Sequence, residues 1–200
     1  MISKLRPSLG RVLTAPFVRI MSRSGISPNT LTIIGFLMSV VTALVLADGH
    51  VFLGGFLVLF SAWFDMLDGA LAKMLGMSTR FGAFLDSTVD RFSEAVVFLG
   101  LIIYYSDKHD TGAVVLVYVA IVGSFMVSYA RAKAEGLGMK GEVGLFARPE
   151  RIILLTLGLL LTAVSSNALI VVLWILAVGA NFTAFRRLLY SWQQTKNDNL

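Results

Sequence analysis

The chain has no cysteine, so it holds no disulfide and no thiolate to bind a metal or act as a nucleophile. Charge is scarce as well. Asp, Glu, Lys and Arg make up 14% of the 200 residues, whereas a soluble domain carries about a quarter. Too few polar faces remain for a water-soluble helical bundle. No internal repeat or low-complexity stretch interrupts the chain. The N-terminal stretch lacks the continuous apolar core of a signal peptide, so no cleavage is expected there.

What is present is apolar: 56% of residues are hydrophobic. Six apolar segments run from Leu31 to Ala47, Val51 to Leu75, Phe81 to Tyr105, Ala113 to Ala134, Ile152 to Ser165 and Leu169 to Tyr190. At ~1.5 Å per residue, most are long enough to cross a ~30 Å hydrocarbon core as helices. The fifth is the shortest and is expected to extend back toward Arg148. Residues 1–24 interleave Leu5, Leu9, Val12, Leu13, Phe17 and Ile20 with basic residues, which reads as an interfacial amphipathic helix kinked at Pro7 and Pro16. The expected fold is therefore an all-α integral membrane protein: that juxtamembrane helix, a six-helix membrane domain over 25–192, and a loose polar tail over 193–200.

Basic residues give the orientation. Of the 17 Lys and Arg, all but Lys108 fall on one side of this six-span arrangement. The positive-inside rule makes that side cytoplasmic, with both termini and any site among those residues there, and the cell membrane as the location. The net charge of +5 thus reads as topology and attraction for anionic ligands, with no nucleic acid as partner.

Against this background, "FDMLDGALAK" and "GAFLDSTVDR" stand out. On a helix Asp65, Asp68, Gly69, Ala72 and Lys73 share one face, and Gly82, Asp86 and Asp90 share a face of the next span. A short connection makes the two spans antiparallel neighbours, so the carboxylates converge. Convergence of anions away from bulk water is unfavourable unless protons or cations join them. An oxygen-only ligand set, without His or Cys, selects magnesium, manganese or calcium over zinc. Four carboxylates suit a pair of ions ~3.5–4 Å apart, as in phosphoryl chemistry. A proton or cation relay would use intramembrane carboxylates too.

The full pattern is Asp65-x2-Asp68-Gly69-x2-Ala72-Lys73-x8-Gly82-x3-Asp86-x3-Asp90. It resembles the signature of the CDP-alcohol phosphotransferases, membrane enzymes of phospholipid synthesis. "SPNTLT", from Ser27 to Thr32, resembles their nucleotide-side segment. One departure is Lys73, where the family usually has arginine and its bidentate fork. The resemblance implies a six-helix, usually dimeric enzyme with two Mg2+ or Mn2+ ions held by Asp65, Asp68, Asp86 and Asp90. It also implies Asp90 as general base on the acceptor hydroxyl. Pro28, Asn29, Thr30, Leu31, Thr32, Gly69, Ala72, Lys73, Thr79 and Gly82 would contact CDP-diacylglycerol.

A second basic cluster lies in "SYARAKAEG" and "FARPER". Topology alone would place cations there. A pocket for a phosphorylated acceptor would need them. With the first motif, these segments look like the actinobacterial phosphatidylinositol-phosphate synthases, which join CDP-diacylglycerol to myo-inositol 3-phosphate and release CMP. Carried over, Ser128, Arg131, Lys133, Arg148, Arg151 and Arg187 would hold the inositol phosphate. The alternatives are a phosphatidylglycerophosphate synthase using glycerol 3-phosphate, and an ion or proton transporter using the four aspartates.

Overall fold

The computed structural model describes residues 15–23, 25–141 and 143–198. Seven helices and no strand are present among them: α1 (15–21), α2 (Pro28–Ala47), α3 (Val51–Leu75), α4 (Arg80–Asp107), α5 (Thr111–Gly136), α6 (Arg148–Leu161) and α7 (Ala168–Asp198). The kink expected at Pro7, and most of the amphipathic helix expected over 1–24, lie outside the described residues. The α1 segment does present one apolar face inward: Val18 is buried with Leu31, Leu67 and Leu71, and Phe17 meets Trp63 edge-on at 4.8 Å. The polar stretch expected to be loose continues α7 as helix through Asp198.

Local chemistry explains most boundaries. Ser27 caps α2, its hydroxyl accepting from the Thr30 amide at 3.2 Å, with Pro28 at the helix start where its missing N–H does no harm. Thr79 caps α4 in the same way, accepting from the Gly82 amide at 2.9 Å. Asp110 caps α5. Gly76, at φ 64°, takes the left-handed conformation that ends α3.

The helices form a closed ring in which α3 packs on α2, α2 on α4, α4 on α5, α5 on α7, α7 on α6 and α6 back on α3. Phe98, Leu101, Val117, Leu159, Leu173 and Leu176 fill its centre. The α2–α4 crossing is close because Gly100 lacks a side chain; a Cβ there would stand 2.8 Å from the Ala43 Cα. Outward-facing Leu44, Phe56, Leu157, Trp174 and Val178 are exposed, as a lipid-facing surface requires. This is an all-α multi-pass membrane protein.

One expectation about packing needs correction. Although sequential and antiparallel, α3 and α4 are not packed backbone to backbone: α2 contacts both and holds them apart. The gap between them is where the site forms.

As expected, the fifth of the six long segments is the shortest and begins at Arg148. Four helices, α2, α3, α5 and α7, are long and apolar enough to cross a membrane. The 28-residue α4 is long enough but carries Asp86, Asp90, Arg91 and Glu94. The 14-residue α6 reaches only ~21 Å. Its shortness has a geometric reason. Arg148, its first residue, meets Asp65 and Asp90, which lie ~15 Å in from the Leu75 and Arg80 ends of α3 and α4. So α6 begins below the rim of the bundle and covers only the remaining depth.

Candidate active site

One end of the ring gathers the site: the start of α2, the end of α3, the start of α4, the end of α5, the start of α6 and the last third of α7. The aspartates do not form a single cluster there. They open onto different spaces.

Asp68 and Asp86 face a cleft of ≈ 180 Å³ between α2, α3 and α4, lined also by Pro28, Asn29, Thr32, Gly69, Ala72, Lys73, Thr79 and Gly82. Eight of the ten residues expected to contact the nucleotide thus share one wall. Asp68 is buried, and the Thr32 hydroxyl donates to its Oδ2 at 2.7 Å, so α2 fixes the carboxylate. A Cβ on Gly69 would meet nothing within 4 Å, so its missing side chain leaves open space toward the cleft. Thr30 and Leu31 are not on this wall. The Thr30 hydroxyl pairs with Ser27 at 2.8 Å, and Leu31 is buried in the apolar contact with α1 and α3. A continuous run on a helix cannot face one side, so Pro28 and Thr32 line the cleft, with Asn29 at its edge.

Asp90 lies one turn beyond Asp86 and faces a different cavity of ≈ 250 Å³, with Ser128, Arg131, Arg148, Arg151 and Arg187. Ser87, Arg91 and Glu135, which the sequence reading did not single out, line it as well. Lys133 is exposed and does not line it. It follows Arg131 by two residues, about 200° around α5, and the helical period alone could have shown this.

The cations of this cavity have partners. Arg151 is 1% exposed; its Nε and Nη2 donate to the two Glu94 oxygens at 2.8 and 2.7 Å, and Nη1 to the Phe146 carbonyl. Three of its five N–H groups are thereby engaged, which leaves a poorer phosphate ligand than the sequence suggested. Arg187 is buried and donates to the Val143 and Val127 carbonyls at 2.8 and 2.6 Å, tying the 137–147 loop to α5 and α7. The Gln194 amide pairs with both backbone groups of Lys140 and pins the same loop. Arg131 pairs with Glu135 at its exposed edge.

Arg148 lines the Asp90 cavity and reaches toward Asp65. Its Nη2 lies 2.6 Å from Asp65 Oδ2 and its Nη1 2.8 Å from Asp90 Oδ2, so one guanidinium joins α3 to α4. Asp65 faces an inner cavity where Ser39, Ser61, Ser93 and Glu94 sit among apolar Val58, Val97, Phe98 and Leu155. The Ser39 and Ser61 hydroxyls are hydrogen-bonded, and Ser61 donates to the Gly35 carbonyl. A Cβ on Gly35 would stand 2.9 Å from Asp65 Oδ1, which accounts for glycine opposite that carboxylate.

The donor set fits a hard divalent cation in chemistry, being carboxylate and hydroxyl oxygen only. As placed, no trio of His, Cys, Asp or Glu among the described residues is close enough to hold a metal ion. The expected convergence of four carboxylates is therefore looser than helix spacing implied. The pairing of Arg148, from α6, with Asp65 and Asp90 is an arrangement the sequence expectations did not include.

Comparison with known proteins agrees with the motif. The family model described as CDP-alcohol phosphatidyltransferase matches residues 25–184. The phosphatidylinositol phosphate synthase of Mycobacterium tuberculosis is 39% identical over 204 residues, covering 96% of this chain and 92% of that protein. The archaetidylinositol phosphate synthase of Pyrococcus horikoshii is 35% identical over 191 residues, covering 94% and 98%. The crystal structure of the M. tuberculosis synthase with CDP-DAG bound superposes with a TM-score of 0.85 at 38% identity, covering 90% of this chain and 93% of that one. The same protein in complex with manganese and citrate gives 0.83 at 39% identity, covering 90% and 88%. The aspartate motif, the cleft it lines and these likenesses agree: the chain belongs to the CDP-alcohol phosphatidyltransferase family.

Proposed function

We propose that this enzyme transfers the phosphatidyl group of CDP-diacylglycerol to myo-inositol 3-phosphate, giving phosphatidylinositol phosphate and CMP. The observation that carries the reading is the placement of Asp90. It alone of the four motif aspartates lies on the arginine-lined cavity, one helical turn from the cleft lined by Gly69, Lys73 and Gly82. A base there faces an acceptor whose phosphate the cations hold, beside a donor whose diphosphate fills the cleft. The names of the relatives support inositol phosphate as the acceptor class, in two lipid backgrounds.

In this mechanism the cleft residues Pro28, Asn29, Thr32, Gly69, Ala72, Thr79 and Gly82 seat the cytidine diphosphate, with Lys73 as a point charge on it. Asp65, Asp68, Asp86 and Asp90 would hold two Mg2+ or Mn2+ ions, and the manganese complex of the relative supports divalent metal use. When bound, such ions supply charge neutralisation at the diphosphate and its leaving oxygen. Ser128, Arg131 and Arg148 orient the acceptor phosphate; Arg151 and Arg187 hold the walls of the cavity in place. Asp90 takes the proton of the acceptor hydroxyl as its oxygen attacks the phosphorus on the lipid side. The bond from that phosphorus to the CMP oxygen breaks and CMP leaves. The six-span arrangement, the cytoplasmic placement of the cationic end, the cell membrane as location and a homodimer complete the proposal.

The test is competition among acceptors. Purified protein with CDP-diacylglycerol and Mg2+ is expected to release CMP with myo-inositol 3-phosphate, and far less with glycerol 3-phosphate or free inositol. Preference for glycerol 3-phosphate would make it a phosphatidylglycerophosphate synthase. No CMP from any alcohol, with metal flux instead, would favour the transporter.

A further inference from the structure

We propose that Arg148 is a resident counter-cation of the acid site, displaced when a divalent cation binds, and that its freed guanidinium then completes the phosphate-binding wall of the neighbouring cavity. This rests on the reading that the aspartates take a divalent cation and the cavity a phosphate monoester.

Four observations carry it. First, the guanidinium bridges one oxygen of Asp65 and one of Asp90, at 2.6 and 2.8 Å, across the gap between α3 and α4. An ion bound to those same oxygens at the usual ~2.1 Å would contact the guanidinium nitrogens, so the two cations exclude each other.

Second, the two carboxylates are the guanidinium's only hydrogen-bond or ion-pair partners among the described residues. The Arg148 side chain is 24% exposed and its buried Nε has no hydrogen-bond partner among the described residues. The Arg151 side chain, one turn further on, is 1% exposed and held by three hydrogen bonds, one of them to a backbone carbonyl. Among the described residues no backbone carbonyl anchors Arg148 in this way.

Third, Arg148 already lines both the inner cavity with Asp65 and the acceptor cavity with Ser128 and Arg131. Its charge thus borders both spaces without any movement of α6. Fourth, it is the first residue of α6, preceded by Ala147 with no side-chain cap, so no helical turn before it blocks rotation of the side chain.

The consequence is a coupling between sites. Metal and phosphate monoester would bind cooperatively, because each favours the same displaced position of one side chain. The acceptor cavity would be complete only after the acid site holds its cation. Asp90 Oδ2, engaged by Arg148 beforehand, would be freed in the same step.

The experiment is a Mn2+ titration of the full-length protein in detergent, without CDP-lipid, followed by electron paramagnetic resonance of free Mn2+. It is run with Mn2+ alone and with myo-inositol 3-phosphate. In the wild type the phosphate is expected to tighten Mn2+ binding by about tenfold, within the ~5–150-fold range of site coupling. Arg148→Gln is expected to bind Mn2+ more tightly than wild type and to show no effect of the phosphate. Arg148→Lys, with a charge but no fork, is expected to fall between and serves if Arg148→Gln does not fold. Mn2+ binding that Arg148→Gln does not tighten, or a phosphate effect that survives in it, overturns the inference and leaves the metal-dependent reaction standing. A wild type in which phosphate has no effect overturns it without any variant. If neither protein binds Mn2+, the inference falls together with the metal-dependent reading beneath it.

Discussion

Replacing Glu94 with glutamine removes one charge of a bidentate ion pair in which the Arg151 side chain is 1% exposed and that of Glu94 6%. Arg151 would keep its hydrogen bond to the Phe146 carbonyl and lose its only charged partner in that contact. Leaving a buried cation uncompensated costs about 3–5 kcal/mol. For a chain of this size each kcal/mol moves the melting temperature by about 2–4 °C, so a fall of roughly 6–20 °C is expected. The Arg131–Glu135 pair supplies the control. Its side chains are 43% and 47% exposed, and an exposed pair contributes about 0–1 kcal/mol. With no cysteine for a thiol probe, unfolding can be followed by the fluorescence of Trp63, Trp174 and Trp192. Glu94→Leu combined with Arg151→Met, which removes both charges, is expected to recover most of the loss. A Glu94→Gln protein that melts with Glu135→Gln and wild type would refute the claim that this pair is a buried strut.

Other expected outcomes follow from the same geometry. Gly69→Ala should melt no lower than wild type, since its Cβ meets nothing, but should raise the KM for CDP-diacylglycerol by narrowing the cleft. Gly100→Ala should cost about 1–3 kcal/mol, because the added carbon would press on the Ala43 backbone, and thermal unfolding would show it. Arg131→Ala should raise the KM for the acceptor well above that of Lys133→Ala, which removes a charge outside the cavity; equal effects would return both residues to topology.

Much of this was legible in the chain itself. The α3 boundaries match the apolar run from Val51 to Leu75, because Gly76 stops the helix sharply. The extension of α6 back to Arg148 was visible in "FARPER", where proline in the first turn marks a helix start. The cleft was legible because Gly69, Ala72, Lys73 and Gly82 obey the helical period. What could not be read was set by packing between distant elements. No spacing within α3 and α4 says that α2 holds them apart, or that α6 places Arg148 in the gap between them. Arg148 and Arg151, three apart, do complement Asp90 and Glu94, four apart, and that match was a signal open to use. Reading Arg151 and Arg187 as phosphate ligands left out that a buried guanidinium needs a partner of its own.

The central claim is that one carboxylate, at the meeting of a nucleotide cleft and a cationic cavity, takes the proton of the attacking hydroxyl. Asp90→Asn assayed for both CMP release and CDP-diacylglycerol binding tests it most directly. Turnover is expected to fall by at least ~10²-fold while the lipid nucleotide still binds. Turnover near wild type, or loss of binding together with turnover, would contradict it.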